Sequence, residues 1–505
     1  MDTAWRGRRL CEAIIPAGML AGGLWRSGLP LQAMAGAVAV TMLGLQLGAQ
    51  RSPEHGLCGA PAGVFRPAGD DGAVWGALLV PVVLAARASA GLGSASAWVL
   101  GVGMSWAFTL AVLPAHMRPS GRRARAGAAA RALALAGAAY AGAVGSEALG
   151  CGPVAGAAGA AGAAWAQRAL TAAVLRGLPR SFTLGEAAVA AQGAVLAAAD
   201  LATRAARRAQ AGPGDAQMPA VLLEAGVLAL ALFACALARA PAGAAWFCGV
   251  AAACAAGGLG LAGCVAGASP LAWARRELLG PRAHWAVLCY WAALLAAGAA
   301  ACVAGPSPPG PSAKLALHVR RKAYHILAVL LFAPAHVVAP LLLHVALTAA
   351  LAAFVVVEAA RARGVGPWAP AIDRFLRRFT DARDAGPVVT AHFYLLLGCA
   401  VPVWLGGARA ACLAGVLALG VADSAASLVG LGLGRRRWPG SAKTVEGTAG
   451  FVLGLFVAVS LVPAGGGPGA AARLAVCAAL GLVEALTEQN DNLVVALAAY
   501  AALAA

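Results

Sequence analysis

The sequence has few charged residues for its length, and this scarcity indicates the class of protein. Of its 505 residues only 11% are charged, whereas 61% are hydrophobic. A soluble protein of this size could not cover its surface with so few charges. Apolar stretches of about 17–25 residues, each long enough to cross a bilayer as a helix, recur along the chain. No sustained alternation of apolar and polar residues, the mark of a membrane β-barrel, is present. The sequence therefore predicts an all-α, polytopic transmembrane helical bundle with roughly 12–15 spans.

Paired cysteines and glycosylation sequons are missing as well. The 12 cysteines include no CxxC pair and mostly lie within apolar stretches, which indicates small buried residues rather than a disulfide framework or a zinc site. The only asparagines are Asn490 and Asn492, and neither begins an Asn-x-Ser/Thr sequon. Glycosylation therefore gives no information on which loops face a lumen.

Acidic residues are scarce relative to basic ones, which gives the chain a net charge of +18. The basic residues lie in short loops between apolar runs, for example at Arg204, Arg207 and Arg208. This distribution is typical of cytoplasmic loops under the positive-inside rule. It therefore indicates membrane topology and argues against a nucleic-acid partner.

The chain divides into two multi-span regions. Residues 1–304 offer no clear indication of their role, and their spans are predicted near 30–50, 73–90, 95–115, 128–148, 186–200, 218–238, 243–267 and 283–304. A Pro/Gly/Ser-rich linker follows at 305–313. Residues 314–505 carry more polar loops than the first region. A two-span hairpin is predicted there at 324–357, followed by spans near 386–405, 408–430, 447–463, 471–486 and 493–505.

Counting the crossings of the second region places its polar loops on one side of the membrane. With a hairpin at 324–357, an even number of crossings separates the loops 314–323, 358–385, 435–446 and 487–492. The basic residues in these loops identify the shared side as cytosolic.

The stretch from Gly420 to Gly430 carries an acid and two hydroxyls, Asp423, Ser424 and Ser427, within an otherwise apolar helix. Asp423 and Ser427 are four residues apart and so share a helix face. A carboxylate and a hydroxyl at this spacing can hold a divalent cation or orient a phosphoryl acceptor. A polar contact between helices is the alternative, although carboxylates within the membrane are usually functional.

A basic loop with a Pro-Gly turn follows directly and precedes a helix predicted to begin near Thr444. A free helix N-terminus preceded by Lys443 is a ready site for an anion. Next to Asp423 this loop predicts phosphate binding, because phosphoryl transfer needs cationic groups and a metal-binding acid together. Glu446 would cap the helix or bind the metal. The predicted ligand contacts are Ser424, Ser427, Arg435, Arg436, Arg437, Trp438, Gly440, Ser441, Thr444, Gly447 and Thr448.

Two more polar clusters lie on the predicted cytosolic side. Glu484, Glu488 and Asp491 have the i, i+4, i+7 spacing of one helix face, where their charges repel one another unless a cation neutralises them. A solvated turn is the alternative. Lys322 and His325, at the entry of a span, would either contact a phosphate or anchor the helix at the interface.

Taken together, in order and spacing, these motifs resemble the C-terminal region of the dolichol kinases, a family of CTP-dependent polyprenol kinases. The resemblance covers about residues 314–500 and rests on Gly420-x-x-Asp423-Ser-x-Ala-Ser, Trp438-Pro-Gly440, Lys443-Thr-x-Glu446-Gly-Thr448, Glu484-Ala-x-Thr with Asp491-Asn-Leu493, Thr390-x-His392 with Tyr394-Leu-Leu-Leu-Gly398, and Arg321-Lys-x-x-His325. Ser424, Ala442 and Val445 depart from the expected threonine, second lysine and aromatic residue.

The resemblance implies an enzyme of the endoplasmic-reticulum membrane whose active-site loops face the cytosol. It implies transfer of the γ-phosphate of CTP to dolichol, and the resulting dolichyl phosphate would serve protein glycosylation. The CTP-binding segment of the family would correspond to about residues 422–448.

The clusters suggest a role for each group. Lys443 and the arginines 435–437 would hold the phosphates, while Asp423 and either Glu446 or Asp491 would coordinate Mg²⁺ or Ca²⁺. One carboxylate would orient or deprotonate the polyprenol hydroxyl. Further candidates for the site are Lys322, His325, His392 and Glu484.

Three other functions are consistent with parts of the pattern. A phytol- or farnesol-type kinase would share the motifs, but such kinases are usually shorter than this chain. A CTP-dependent cytidylyltransferase would transfer CMP and release pyrophosphate. A multi-span transporter would show inverted repeats with broken helices, whereas the motifs described above each occur once.

Overall fold

A computed structural model describes residues 13–21, 66, 72–92, 95–116, 135–140, 142–143, 146, 151–211, 218–239, 243–304, 312–376, 386–439, 441–463, 469–487 and 489–504. Over these ranges the regular structure is helical, without a β-strand, and one isolated bridge joins Arg437 to Thr444. The predicted all-α fold is therefore confirmed.

The first region contributes α1 (Ala73–Ser89), α2 (Ala95–His116), α3 (Pro153–Gly177), α4 (Leu184–Ala211), α5 (Met218–Arg239), α6 (Ala244–Ala266), α7 (Pro270–Glu277) and α8 (Arg282–Ala304). The second contributes α9 (Ser312–Val338), α10 (Pro340–Ala362), α11 (Ala369–Leu376), α12 (Ala391–Leu405), α13 (Arg409–Cys412), a π-helical segment (Val416–Ala422), α14 (Asp423–Leu433), α15 (Val445–Leu461), α16 (Ala470–Leu486) and α17 (Asp491–Ala504).

Within the described ranges, six helical segments are long and apolar enough to cross a membrane. They are Leu184–Arg208, Met218–Leu237, Ala244–Ala266, Arg282–Ala300, Pro340–Ala362 and Val416–Leu433. Shorter apolar helices are α1, α12, α15 and α17. The protein is thus a multi-pass membrane protein. The spans predicted at 30–50 and, for the most part, 128–148 fall outside the described residues.

Two sequence-based predictions require correction, and the turn of the predicted hairpin can be located. Residues 314–323 were expected to form a loop, but they belong to α9, which begins at Ser312 and therefore inside the expected linker. The break in 324–357 lies at Ala339, because Pro340 has no N–H to continue the ladder and begins α10 instead. Helix α3 was not expected at all: its alanines and glycines are weakly apolar, and Arg168 and Arg176 interrupt the run.

The main hydrophobic core draws on both regions of the chain. Leu78 of α1 and Leu184 of α4 belong to the same buried cluster as Phe451 of α15 and Tyr500 of α17. The hydroxyl of Tyr500 donates to the carbonyl of Gly406 at 3.1 Å, so even this aromatic side chain is satisfied. The first region therefore packs directly against the helices that carry the candidate site.

The candidate spans differ in how much protein surrounds them. In the apolar window of α4, 56% of the residues are buried inside the structure, against 11% in α6 and 11% in α8. Uncovered apolar surface on a membrane protein faces lipid. Helix α4 is therefore central, and α6 and α8 lie at the periphery.

Candidate active site

Asp423 lies at the junction between the π-helical segment and α14. Segments with π-helical hydrogen bonding are rare and occur frequently at functional sites. The Asp423 side chain is buried, and its carboxylate accepts a hydrogen bond from the ammonium of Lys322. His325 Nδ1 lies 3.2 Å from Oδ2 of the same carboxylate. Lys322 and His325 are three residues apart on α9, so both reach Asp423 from one helix face.

The protonation of His325 follows from its partners. Its Nδ1 lies 2.8 Å from the carbonyl oxygen of Leu419 as well as next to the carboxylate of Asp423. Both partners accept hydrogen bonds, so Nδ1 must carry the proton. Both side chains contact Asp423, and both predicted roles, contact with a phosphate and anchoring at the interface, stay predictions.

Gly420 allows α9 to come close enough for these contacts. A Cβ atom at Gly420 would lie 2.1 Å from Cγ2 of Val329 and 3.2 Å from the carbonyl oxygen of His325. The first distance is far below any van der Waals contact, so a side chain here would push α9 away from Asp423.

The two hydroxyls of the motif differ in their surroundings. Ser424 is buried, and its Oγ has no hydrogen-bond partner among the residues that the structure describes. Ser427, one turn further along α14, is partly exposed. A buried hydroxyl without a partner is uncommon in a folded protein and is expected where a ligand or water completes the site. Ser424 is therefore a polar group available beside Asp423.

Lys443 is the centre of a second group of charges. Its Nζ lies 2.6 Å from Oε1 of Glu484, 2.7 Å from the Glu484 carbonyl oxygen and 3.6 Å from Oδ2 of Asp491. Burial acts to lower the pKa of Lys443, but the negative charges of Asp491 and Glu484 outweigh it and hold that pKa above its ordinary value. The group is therefore a charged ammonium at neutral pH.

The loop before α15 is folded by its own hydrogen bonds. The carboxylate of Glu446 accepts from the backbone N–H groups of Arg435 and Arg436 at 3.1–3.2 Å. The indole N–H of Trp438 donates to Oγ1 of Thr448 at 2.9 Å. Together with the Arg437–Thr444 bridge, these bonds hold the loop against the first turn of α15. The three arginine side chains are exposed.

Ser441 and Thr444 join this loop to its neighbours. Ser441 Oγ donates to the carbonyl of Ala485 at 3.0 Å and accepts from the backbone N–H of Lys443 at 3.2 Å. Thr444 caps α15 by accepting from the N–H of Gly447 at 3.1 Å, so the predicted helix start is confirmed. These contacts place Lys443 beside the end of α16.

The Asp423 and Lys443 groups lie on neighbouring helices, because α15, which directly follows Lys443, packs against both α14 and α16. The expected single helix face of Glu484 and Asp491 is wrong, because α16 ends at Leu486 and a new helix begins at Asp491. The expected neutralising cation is nevertheless present, and it is Lys443.

Other predicted site residues lie elsewhere or outside the described ranges. His392 packs its ring against Phe354 and Phe393, with centroids 5.4 and 4.6 Å apart respectively. Gly440 and Glu488 are not among the described residues. The role of Glu446 as a metal ligand stays a prediction, since both of its oxygens accept from loop amides.

A divalent cation such as Mg²⁺ or Ca²⁺ needs several oxygen ligands around one point. Among the described residues, no three His, Cys, Asp or Glu side chains converge as a ready metal site. Asp423 and Asp491 nevertheless offer the carboxylate oxygens that Mg²⁺ and Ca²⁺ prefer, and each now faces a lysine. The residues present therefore supply the kind of oxygen ligand that a divalent cation prefers, and the cation itself stays a prediction.

Sequence reasoning missed a contact between the two regions at this site. Thr183 and Glu186 flank the start of α4, and Glu186 accepts from the backbone N–H of Asn490 at 3.3 Å. The pattern Thr183-x-x-Glu186 is that of a capping box. This pattern could have identified the start of α4, but not the contact of Glu186 with Asn490.

A second missed cluster holds the segment before α12. The carboxylate of Glu358 accepts from the N–H of Val389 at 2.6 Å and pairs with Arg361 at 2.7 Å. Arg361 also pairs with Asp373 at 2.8 Å. The charges between α10, α11 and α12 are thus mutually satisfied, as buried ion pairs must be.

The fold and the site define a class: a polytopic helical membrane protein with two groups of paired lysines and carboxylates, on the helices around a basic loop. A family model described as dolichol kinase matches residues 169–403. That match extends into the first region but ends before Gly420, so the Asp423 and Lys443 motifs lie beyond it.

Three relatives show the same likeness. The dolichol kinase EVAN of Arabidopsis thaliana is 39% identical over 204 residues, covering 38% of this chain and 36% of the relative. Human dolichol kinase is 36% identical over 210 residues, covering 38% and 39%. The Saccharomyces cerevisiae dolichol kinase is 30% identical over 237 residues, covering 45% and 44%.

These matches confirm the resemblance: the chain is similar to the dolichol kinases over part of its length. The aligned part spans less than half the length of each of these three relatives. No solved structure matches the chain.

Proposed function

We propose that this protein is a dolichol kinase that transfers the γ-phosphate of CTP to dolichol. The observation that carries the proposal is the presence of two charge groups on neighbouring helices around the basic loop. Lys322 and His325 hold Asp423 in one group, and Lys443 lies between Glu484 and Asp491 in the other. The names of the relatives indicate dolichol as the lipid acceptor, and the site contains groups suited to phosphoryl transfer.

In the proposed reaction the hydroxyl oxygen of dolichol forms a bond to the γ-phosphorus of CTP. The bond from that phosphorus to the bridging oxygen breaks, CDP leaves, and the hydroxyl proton passes to a carboxylate. We assign the proton to Asp423, because it is buried and oriented by two partners from α9. A positioned base of this kind contributes about 10²–10⁴-fold to a rate.

Lys443 and the exposed arginines 435–437 serve the nucleotide. Exposed arginines raise the local concentration of an anion and steer it to the loop. Lys443 is already charged, and it exchanges its carboxylate partners for phosphate oxygens when CTP binds. Asp423 and Asp491 would hold Mg²⁺ or Ca²⁺, which supplies neutralisation of the charge on the transferred phosphate.

The proposal includes a cellular setting. The basic loops face the cytosol, where CTP is available, and the protein resides in the membrane of the endoplasmic reticulum. The long isoprenoid lies against the apolar surfaces of the helices, with its hydroxyl at the depth of Asp423. Dolichyl phosphate made there would serve as the sugar carrier for protein glycosylation.

The test uses membranes that contain the wild type, Asp423→Asn or the matched control Asp200→Asn. Asp200 pairs with Arg204 within α4, at a place that the proposal does not use. CTP labelled at the γ-phosphate should label dolichol with the wild type and the control but not with Asp423→Asn. Label entering lipid from the α-phosphate would instead establish a cytidylyltransferase. No labelling of dolichol, phytol or farnesol by a folded wild type would refute the kinase.

A further inference from the structure

The start of α4, in the first region of the chain, forms a buried polar contact with the segment between α16 and α17. Thr183 and Glu186 cap each other: the N–H of Thr183 donates to Glu186 Oε2 at 3.0 Å, and the N–H of Glu186 donates to Thr183 Oγ1 at 3.2 Å. Thr183 Oγ1 also donates to Oε1 of Gln489 at 2.7 Å. All three side chains are at most 4% exposed.

Glu186 uses its second oxygen across the same contact. Oε1 accepts from the backbone N–H of Asn490 at 3.3 Å and pairs with the guanidinium of Arg66. Each carboxylate oxygen of Glu186 thus has a backbone N–H to satisfy, one from its own helix start and one from the distant segment. A carboxamide has only one carbonyl oxygen and cannot replace both.

Gly72 allows the backbone before α1 to approach the side chain of Gln489 closely. Its φ is +73°, a left-handed conformation that suits glycine, and a Cβ there would lie 2.4 Å from Gln489 Oε1. Residues before α1, at the start of α4 and before α17 therefore enclose Gln489 on several sides.

The segment that Glu186 holds leads directly into the candidate site. Asn490 caps α17, because its Oδ1 accepts from the N–H of Asn492 and its carbonyl from the N–H of Leu493, both at 3.1 Å. The next residue is Asp491, whose Oδ2 lies 3.6 Å from Nζ of Lys443. The residue that Glu186 contacts is therefore directly followed by one that supplies a carboxylate to the Lys443 group.

We propose that Glu186 is a positioning residue, which sets the placement of Asp491 beside Lys443 through the backbone of Asn490. This inference rests on the proposed function and gives the first region of the chain a role in CTP binding. Glu186 does not touch the nucleotide. It holds the helix start from which Asp491 projects, and loss of a supporting group of this kind costs a neighbouring ligand roughly 10–100-fold in affinity.

The experiment compares Glu186→Gln with the matched control Glu224→Gln. Glu224 is also a buried glutamate of the first region, paired with Arg204 at 3.1 Å, but it belongs to α5. Because Glu186→Gln leaves Arg66 without its charged partner, the double variant Arg66→Met/Glu186→Gln is measured as well. It removes both buried charges and so separates folding from positioning.

Two quantities are measured on purified protein: the KM for CTP with dolichol as acceptor, and the rise in melting temperature on adding CTP with Mg²⁺. We expect the Glu186 variants to raise KM roughly 10–100-fold with a smaller change in kcat, and to lose most of the CTP-induced rise. Glu224→Gln should keep the wild-type values. Adding Asp491→Asn to Glu186→Gln should cost less than the product of the two single effects, because the two residues act in one chain of contacts.

A folded Glu186 variant with a wild-type KM and a wild-type CTP-induced rise would overturn the proposal. So would equal effects in Glu186→Gln and Glu224→Gln, which would indicate a general loss of structure. If the wild type binds CTP but phosphorylates no dolichol, the proposed function fails while the melting temperatures still decide the role of Glu186.

Discussion

Replacing Lys322 with methionine should separate the stability of the Asp423 group from its chemistry. The Lys322 and Asp423 side chains are 16% and 11% exposed, so their charges are largely removed from solvent. Removing one partner of a buried pair costs about 3–5 kcal/mol, because the other charge is left uncompensated. His325 still faces Asp423 at 3.2 Å, so we expect the lower end of that range, about 3 kcal/mol.

This loss translates into a small but measurable change in melting temperature. Unfolding entropy is about 2 cal/mol/K per residue, so a chain of 505 residues should lose about 1 °C for each kcal/mol. Lys322→Met should therefore melt about 3 °C below the wild type in detergent. In the double variant Lys322→Met/Asp423→Asn both charges are gone, and the melting temperature should return towards that of the wild type.

Kinase activity should not return with it. Without Asp423 the hydroxyl has no carboxylate to receive its proton, so the double variant should stay at least about 100-fold below the wild type. Melting curves and γ-phosphate transfer are measured on the same preparations. A Lys322→Met protein with wild-type stability and activity would show that the pair is neither structural nor functional. Activity restored in the double variant would refute the assignment of Asp423.

The remaining predictions concern the basic loop. Glu446→Gln leaves one fewer oxygen to accept from the amides of Arg435 and Arg436. It should therefore raise the KM for CTP without changing how activity depends on metal concentration. A changed dependence on metal concentration would show instead that Glu446 is a metal ligand. The pKa of Lys443 in the folded protein lies above the ordinary pKa of a lysine. Its ammonium is therefore fully charged at any pH below the ordinary pKa, and it loses its charge only as the pH rises through the raised pKa. Binding of CTP should therefore show no loss attributable to Lys443 between about pH 7 and 9.5, whereas Lys443→Met should weaken binding throughout that range.

Most helices of the bundle could be predicted because long apolar runs have few alternatives in a membrane chain. The spans expected at 218–238, 243–267 and 283–304 agree with α5, α6 and α8 to within a residue or so at each end. Helix α3 could not be found in this way. Its composition carries little hydrophobic signal, and only packing against α2 and α4 accounts for it.

The partners of Asp423 could not be predicted from spacing. Sequence reasoning paired it with Ser427 on its own helix, whereas its charged partners come from α9, 101 residues away for Lys322. Local periodicity reports which residues share a helix face, but it contains no information on which helices become neighbours. The start of α15 was predictable for the opposite reason, since a cap depends on residues within one turn.

The charge balance of the site explains why each of its lysines is paired with carboxylates. Lys322 and Lys443 are each paired with carboxylates, and these pairings offset part of the cost of removing the charges from solvent. If the phosphates of CTP draw Lys443 away, Glu484 and Asp491 lose their cation while Asp423 still acts on Glu484. Uncompensated carboxylates in a poorly solvated site repel one another and the incoming phosphates. Under the proposed function, CTP would therefore bind together with a divalent cation that neutralises these carboxylates.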